Sequence, residues 1–225
     1  MHLKPSDRSQ LPEHETLFSI TESILGFVPN SMLLMSRDPA LLYAFSMLTS
    51  VVLKEKVNAS PLTMIRMGIK QLARIARMQR APRSGISHEL KWLVAFVTSH
   101  SAGCRYCQGH TAYSAGRAGV STEKIRMAFE FEQSALFSER ERAALRLAVV
   151  GGTAGSPSNE MMRALHEHFS EPELIEIVSV IALFGFLNRW NSLMDTDLES
   201  LPGAYYDEMV GKNGAAASTD GSRTD

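Results

Sequence analysis

Ser101-Ala102-Gly103-Cys104-Arg105-Tyr106-Cys107-Gln108-Gly109-His110-Thr111-Ala112 holds both cysteines of the chain, three residues apart, with a histidine three residues after the second. Read as a helix that opens at Cys104 and runs to Ala115, the stretch places Cys104 and Cys107 at i and i+3 on one face. His110 follows one turn later, above Cys107. A thiol at a helix N-terminus is favoured as thiolate by unpaired N–H groups and the helix dipole, and a nearby imidazole can take its proton. Two thiols at this spacing can also close a disulfide, so one sulfur can attack and the other resolve. The pattern points to thiol redox chemistry.

Outward from this stretch, the punctuation is helical throughout. Apolar residues at Leu17, Ile20, Ile24 and Phe27 predict a helix over Thr16 to Phe27, ended by Gly26 and Pro29. Asp38-Pro39 and Ser60-Pro61 read as N-cap and first helical position, opening helices through Val52 and to about Arg80. Ser87 or His88 starts a helix through Trp92, Val94, Phe96 and Val97 that feeds the cysteine stretch. Gly119 is a C-terminal stop and Ser121 an N-cap. Ser138-x-x-Glu141 and Ser170-x-x-Glu173 match the capping box, and Ser156-Pro157 opens a further helix. No stretch alternates like a strand. The prediction is an all-α bundle of about seven to nine helices. It has an irregular segment over 1–15, a single domain over 16–210 and a disordered tail from Gly211.

With 225 residues, 44% hydrophobic content and a net charge of −1, the chain is a folded globular protein with no general pull toward nucleic acid or acidic membranes. The N-terminus lacks the apolar core of a signal peptide, and the longest apolar run, Ile177 to Leu187, is half the ~20 residues a membrane span needs. A cytoplasmic location is the expectation. There, two cysteines read as catalytic or metal-binding before structural.

These residues carry a resemblance. Glu89-Leu90-Lys91-Trp92-Leu93-Val94-Ala95-Phe96-Val97, the small turn Ala102-Gly103, and Cys-Arg-Tyr-Cys followed by His-Thr-Ala resemble the carboxymuconolactone decarboxylase and alkylhydroperoxidase D-like proteins. Gly26-Phe27-Val28-Pro29-Asn30, the run from Phe137 to Arg146, and the run from Phe169 to Asn191 resemble the longer, peroxidase-related members. The resemblance covers residues 20 to 200. It implies the alkylhydroperoxidase D-like fold, a homo-oligomer, and reduction of a small hydroperoxide or disulfide at the expense of an external dithiol reductant. It implies no organic cofactor and no metal. Carried over by position, Cys107 is the nucleophile, Cys104 the resolving thiol and His110 the base.

Two positions depart from the family pattern. Many members place the histidine four residues after the second cysteine, and both offsets keep it on one helical face. The family's relay glutamate stands twelve residues before the first cysteine, where this chain has Trp92. Glu89, one turn earlier, is the candidate substitute; otherwise it is a solvated first-turn carboxylate favoured by the dipole.

Other readings use the same residues. His100, four before Cys104, either contacts that thiol or bonds the last carbonyls of its helix. Together His100, Cys104, Cys107 and His110 form a zinc-compatible set crowded onto one helix entry. Lactone decarboxylation, the family's other activity, generally dispenses with the cysteine pair. A non-catalytic helical oligomer would leave the thiols merely buried. Asn188 either lines the cleft or is a satisfied structural amide. Arg66, Lys70, Arg74, Arg77 and Arg80 form a basic stripe, read as a surface or oligomer contact or as a site for an anion. The apolar helix from Glu171 to Met194 is predicted to be buried on most sides, by its own chain or by a second subunit.

Overall fold

The computed structural model describes residues 3–54, 59–80 and 85–211, without the side chains of Gln71, Arg74, Ile75 and 77–80. Among these residues there are helices and no strands. Among the described residues there are eleven α-helices, more than the seven to nine predicted, because Asn30–Met35 and Ser200–Val210 form helices that were not among those expected. The first is too short to show a period of its own. The chain divides into two compact units, 1–84 and 85–225, where a single domain over 16–210 was expected. From residue 212 the predicted tail lies outside the described residues, as do residues 81–84 of the loop after α4 and the side chains of Arg74, Arg77 and Arg80.

The first unit comprises α1 (Glu15–Leu25), α2 (Asn30–Met35), α3 (Pro39–Leu53) and α4 (Pro61–Arg80). The supposedly irregular start contains two 3-10 turns, Arg8–Gln10 and Pro12–His14. Asp38 caps α3 as its sequence promised, its Oδ1 accepting from the N–H groups of Ala40 and Leu41 at 2.9 and 3.1 Å. A small core of Leu17, Phe18, Met32, Leu42 and Tyr43 holds this unit. Arg66 and Lys70 of the basic stripe are exposed, and so are Ile65 and Ile69.

The second unit is built around α5 (His88–Ser101), whose residues from Leu93 to Ser99 are all buried. Ser87 caps it through Leu90 N–H. Against α5 pack α6 (Arg105–Ala118), α8 (Glu139–Gly152) and α10 (Glu171–Met194). α7 (Thr122–Arg126), α9 (Asn159–His168) and α11 (Ser200–Val210) complete the unit. The approach of α5 to α8 depends on Gly152, where a Cβ would lie 2.5 Å from the Thr98 carbonyl oxygen. Each fully buried large side chain on α5, such as Leu93 or Phe96, contributes about 1.5–3 kcal/mol by removal from water.

Both capping-box glutamates reach back to their serines: Glu141 accepts the Ser138 N–H and Glu173 the Ser170 N–H, each at 2.9 Å. The third signal shifts by two residues. Ser158, and not Ser156, caps α9. Helix α10 buries Leu174, Ile177, Ile181, Phe184 and Asn188 but leaves Val178, Leu183, Phe186, Trp190 and Leu193 exposed within this chain. No helix among the described residues is long and apolar enough to cross a membrane.

Candidate active site

The turn between α5 and α6 makes the site. Gly103 takes φ +69°, a conformation that disfavours side chains, and reverses the chain after Ala102. Cys104 then adopts extended backbone as the N-cap of α6, its own N–H bonded to the Ser99 carbonyl at 3.2 Å. Serine, threonine or aspartate usually fills this position. Here the sulfur does, with Cys104 Sγ accepting the Cys107 N–H at 3.5 Å.

Both thiols are free and buried, each 3% exposed. The Cys107 thiol hydrogen-bonds to Cys104, which also gains from the Cys107 N–H, the Ser192 hydroxyl and the Tyr106 N–H. These donors outweigh burial and bring the Cys104 pKa down to about 6. Cys107 moves the opposite way, pushed up because its proton is held by Cys104 and because it is buried. Asn191 opposes that rise weakly by donating Nδ2–H to Cys107 Sγ at 3.5 Å. The two thiols share one proton, so the pair loses its first proton more readily than an isolated thiol and its second less readily.

This fixes a titration. A thiol with a lowered pKa is thiolate above that value and is protonated as pH falls through it. Ultraviolet thiolate absorbance should rise with the amplitude of one sulfur and a midpoint at about 6, the second sulfur ionising above the ordinary thiol range. Two ionisations in the ordinary thiol range would mean that the sulfurs do not share a proton.

One turn along α6, His110 Nε2 lies 2.6 Å from Glu199 Oε2. The other carboxylate oxygen of Glu199 accepts the Tyr106 hydroxyl at 3.3 Å, and the Tyr106 and His110 rings pack at 4.4 Å. Glu199 is the N-cap of α11, and its carboxyl is held below the ordinary range by its own backbone N–H and by His110. Beneath this, Arg105 pairs with Asp207 at 2.5 Å and lies 3.9 Å over the Tyr206 ring. Tyr206 donates to Gln108 Oε1 at 2.6 Å.

The positions singled out in the sequence separate. Cys104, Cys107 and His110 lie along one helix entry. Glu89 does not join them: it stands where Gly119 would place a Cβ 3.7 Å from its Oε1. Gly119 follows Cys107 by twelve residues, roughly 18 Å of helix rise. Starting α5 at His88 puts Glu89 in the first turn, beside the far end of α6, and no rotation of α5 corrects this. Trp92 donates Nε1–H to His88 at 3.1 Å. His100 stacks on Phe129 at 3.6 Å, and burial lowers its pKa. Among the described residues no three His, Cys, Asp or Glu side chains are grouped to hold a metal ion. Asn188 is buried with neither amide atom hydrogen-bonded, and its neighbour Asn191 is the amide that meets a thiol. Sequence reasoning missed Glu199, Tyr106 and Ser192, which have no signal beyond a polar residue ahead of Pro202 and polar positions beside the cysteines and at the end of α10.

Fold and site together define an all-helical protein with a cysteine pair seated at one helix N-terminus. The carboxymuconolactone decarboxylase family model matches residues 70–150. The apo crystal structure of the debrominase Bmp8 is 35% identical, with 92% of this chain and 96% of that chain covered and a TM-score of 0.54. A Cys→Ala variant of Bmp8 in complex with 2,3,4-tribromopyrrole is 34% identical over 93% of this chain and 97% of that one, with the same TM-score of 0.54. An uncharacterized peroxidase-related protein from Silicibacter sp. TM1040, 18% identical over 92% of this chain and 93% of that one, shares the fold at a TM-score of 0.50. The uncharacterized protein YnjA of Escherichia coli (strain K12) is 28% identical over 120 residues, 53% of this chain, and the chain spans 66% of that relative's length. The chain belongs to the carboxymuconolactone decarboxylase family, which includes the alkylhydroperoxidase D-like proteins.

Proposed function

We propose that the protein is a dithiol-dependent reductase in which Cys104 and Cys107 pass two electrons to a small substrate and close to a disulfide. The observation that carries this reading is the pair of free, buried thiols at the start of α6, with Cys104 Sγ capping the helix by accepting the Cys107 N–H. A plain packing role gives no reason for a sulfur to stand at the N-cap, where backbone N–H groups favour its ionised form. Because the N-cap position gives the Cys104 sulfur the Cys107 N–H, Cys104 is the proposed attacking sulfur and Cys107 the resolving one, the reverse of the order the resemblance implied.

Identity of 35% over 92% of the chain to a debrominase favours a halogenated aromatic as substrate. The Cys104 thiolate attacks bromine and the C–Br electron pair passes to carbon, which takes a proton from protonated His110. Cys107 then attacks the bromine-bearing sulfur, expelling bromide and releasing its own proton. An aryl bromide and two thiols thereby give the arene, a disulfide, bromide and a proton. A hydroperoxide is the second reading, favoured by the same thiol pair. There the thiolate breaks the O–O bond, the alkoxide takes the proton, and Cys107 displaces water from the sulfenic acid. An external dithiol reopens the disulfide in either case. Assembly with further copies of the chain belongs to the same proposal, supported by the exposed apolar side of α10.

Single-turnover reactions of the reduced protein with 2,3,4-tribromopyrrole and with cumene hydroperoxide test this. One equivalent of bromide with one disulfide establishes dehalogenation, and one equivalent of alcohol with one disulfide establishes the peroxidase. If neither compound oxidises the pair, the reductase reading is lost.

A further inference from the structure

We infer that Glu199, from the N-terminus of α11, is the positioning residue for His110: it holds the proton on Nε2 and leaves Nδ1 as the ring atom that exchanges a proton. The inference deepens the reductase reading and rests on it for the direction of proton flow.

A carboxylate held below its ordinary range is only an acceptor at neutral pH. At 2.6 Å from Oε2, Nε2 must then be the nitrogen that carries hydrogen. In the neutral imidazole this makes Nδ1 the basic atom; in the cation it makes Nδ1–H the acid that can leave without breaking the bond to Glu199. Tyr106 limits the remaining freedom. Its hydroxyl holds the second carboxylate oxygen, and its ring lies against the imidazole. Tyr106 and His110 are four residues apart on one face of α6, so a single carboxylate spans both.

The position of Glu199 is itself determined by packing. Leu198 lies where Gly109 would carry a Cβ at 2.9 Å, and the Tyr205 hydroxyl where Gly116 would carry one at 2.1 Å. Gly109 and Gly116 are seven residues apart, so they share a face of α6 that α11 covers. The Arg105–Asp207 and Tyr206–Gln108 bonds hold the following turns of α11. Stability does not account for the pair. Glu199 and His110 side chains are 59% and 38% exposed, and ion pairs so open to water contribute little to folding.

The experiment uses Glu199→Ala, Glu199→Gln and Glu199→Asp in the full chain, with histidine nitrogen NMR assigned through His110→Gln. Wild type should show the Nε2–H tautomer, Glu199→Ala a mixture, and Glu199→Asp the wild-type form. In the single-turnover assay, product formation should fall about 10–100-fold in Glu199→Ala, the usual loss when a partner that orients an active imidazole is removed. Glu199→Asp should recover part of it, with substrate affinity and the thiolate titration unchanged. An unaltered tautomer in Glu199→Ala overturns the inference, and so does an altered tautomer with unaltered turnover. If no substrate oxidises the thiols of wild type, the reductase reading falls with its proton flow, while the NMR still decides whether Glu199 sets the imidazole.

Discussion

Cys104→Ser should reduce single-turnover reduction to background, a loss of at least about 10³-fold on the scale set by removing an essential nucleophile. The reason is local. The N-cap sulfur is the atom on which the Cys107 thiol, the Cys107 and Tyr106 N–H groups and the Ser192 hydroxyl converge. A serine there still caps α6, so the fold is retained, but its hydroxyl is not ionised at neutral pH. Cys107→Ser should behave differently. It keeps the attacking sulfur, gives at most one equivalent of product, and stops as a sulfenate or mixed disulfide visible by intact mass. It also removes the largest cause of the lowered Cys104 pKa, so the thiolate midpoint should move up from about 6. The reverse pattern, with a single equivalent from Cys104→Ser and none from Cys107→Ser, would restore the order implied by the family resemblance.

Phe96→Ala should cost about 3–5 kcal/mol, the range for emptying a buried aromatic site. That is a large share of the ~5–15 kcal/mol by which typical domains are stable. Phe96 is fully buried on α5, with its ring 4.9 Å from Phe129 and 6.2 Å from Tyr206. Denaturant unfolding monitored by circular dichroism measures the change, and a cost below about 1 kcal/mol would contradict this placement in the core. Function should suffer before global unfolding. Tyr206 anchors α11 to Gln108 on the cysteine helix, and α11 carries Glu199 to His110. Loss of packing behind Tyr206 loosens that contact from the inside.

Much of the fold could be read from short-range signals. Asp38, Ser87, Ser121 and Ser138 each cap a helix with a side chain that reaches a backbone N–H two or three residues on. Such bonds are written in consecutive residues and survive whatever the rest of the chain does. The thiol pair was legible on the same ground, since i and i+3 on a helix entry fixes its geometry. Where the expectation failed, the distance in sequence was longer. Glu89 is the candidate because it lies one turn before Trp92, which stands at the family's relay position, yet its end of α5 lies beside the far end of α6.

By itself, then, the sequence determined an all-helical chain with two thiols at the head of one helix and a histidine a turn behind them. Only the tertiary structure decided what surrounds them. Glu199 reaches His110 across 89 residues, Asn191 meets Cys107 across 84, and Tyr206 bonds Gln108 across 98. Helix periodicity says which face of α6 is available. It does not say which later helix will fill it, because that choice follows from the shape left by Gly109 and Gly116 and the side chains that fit there.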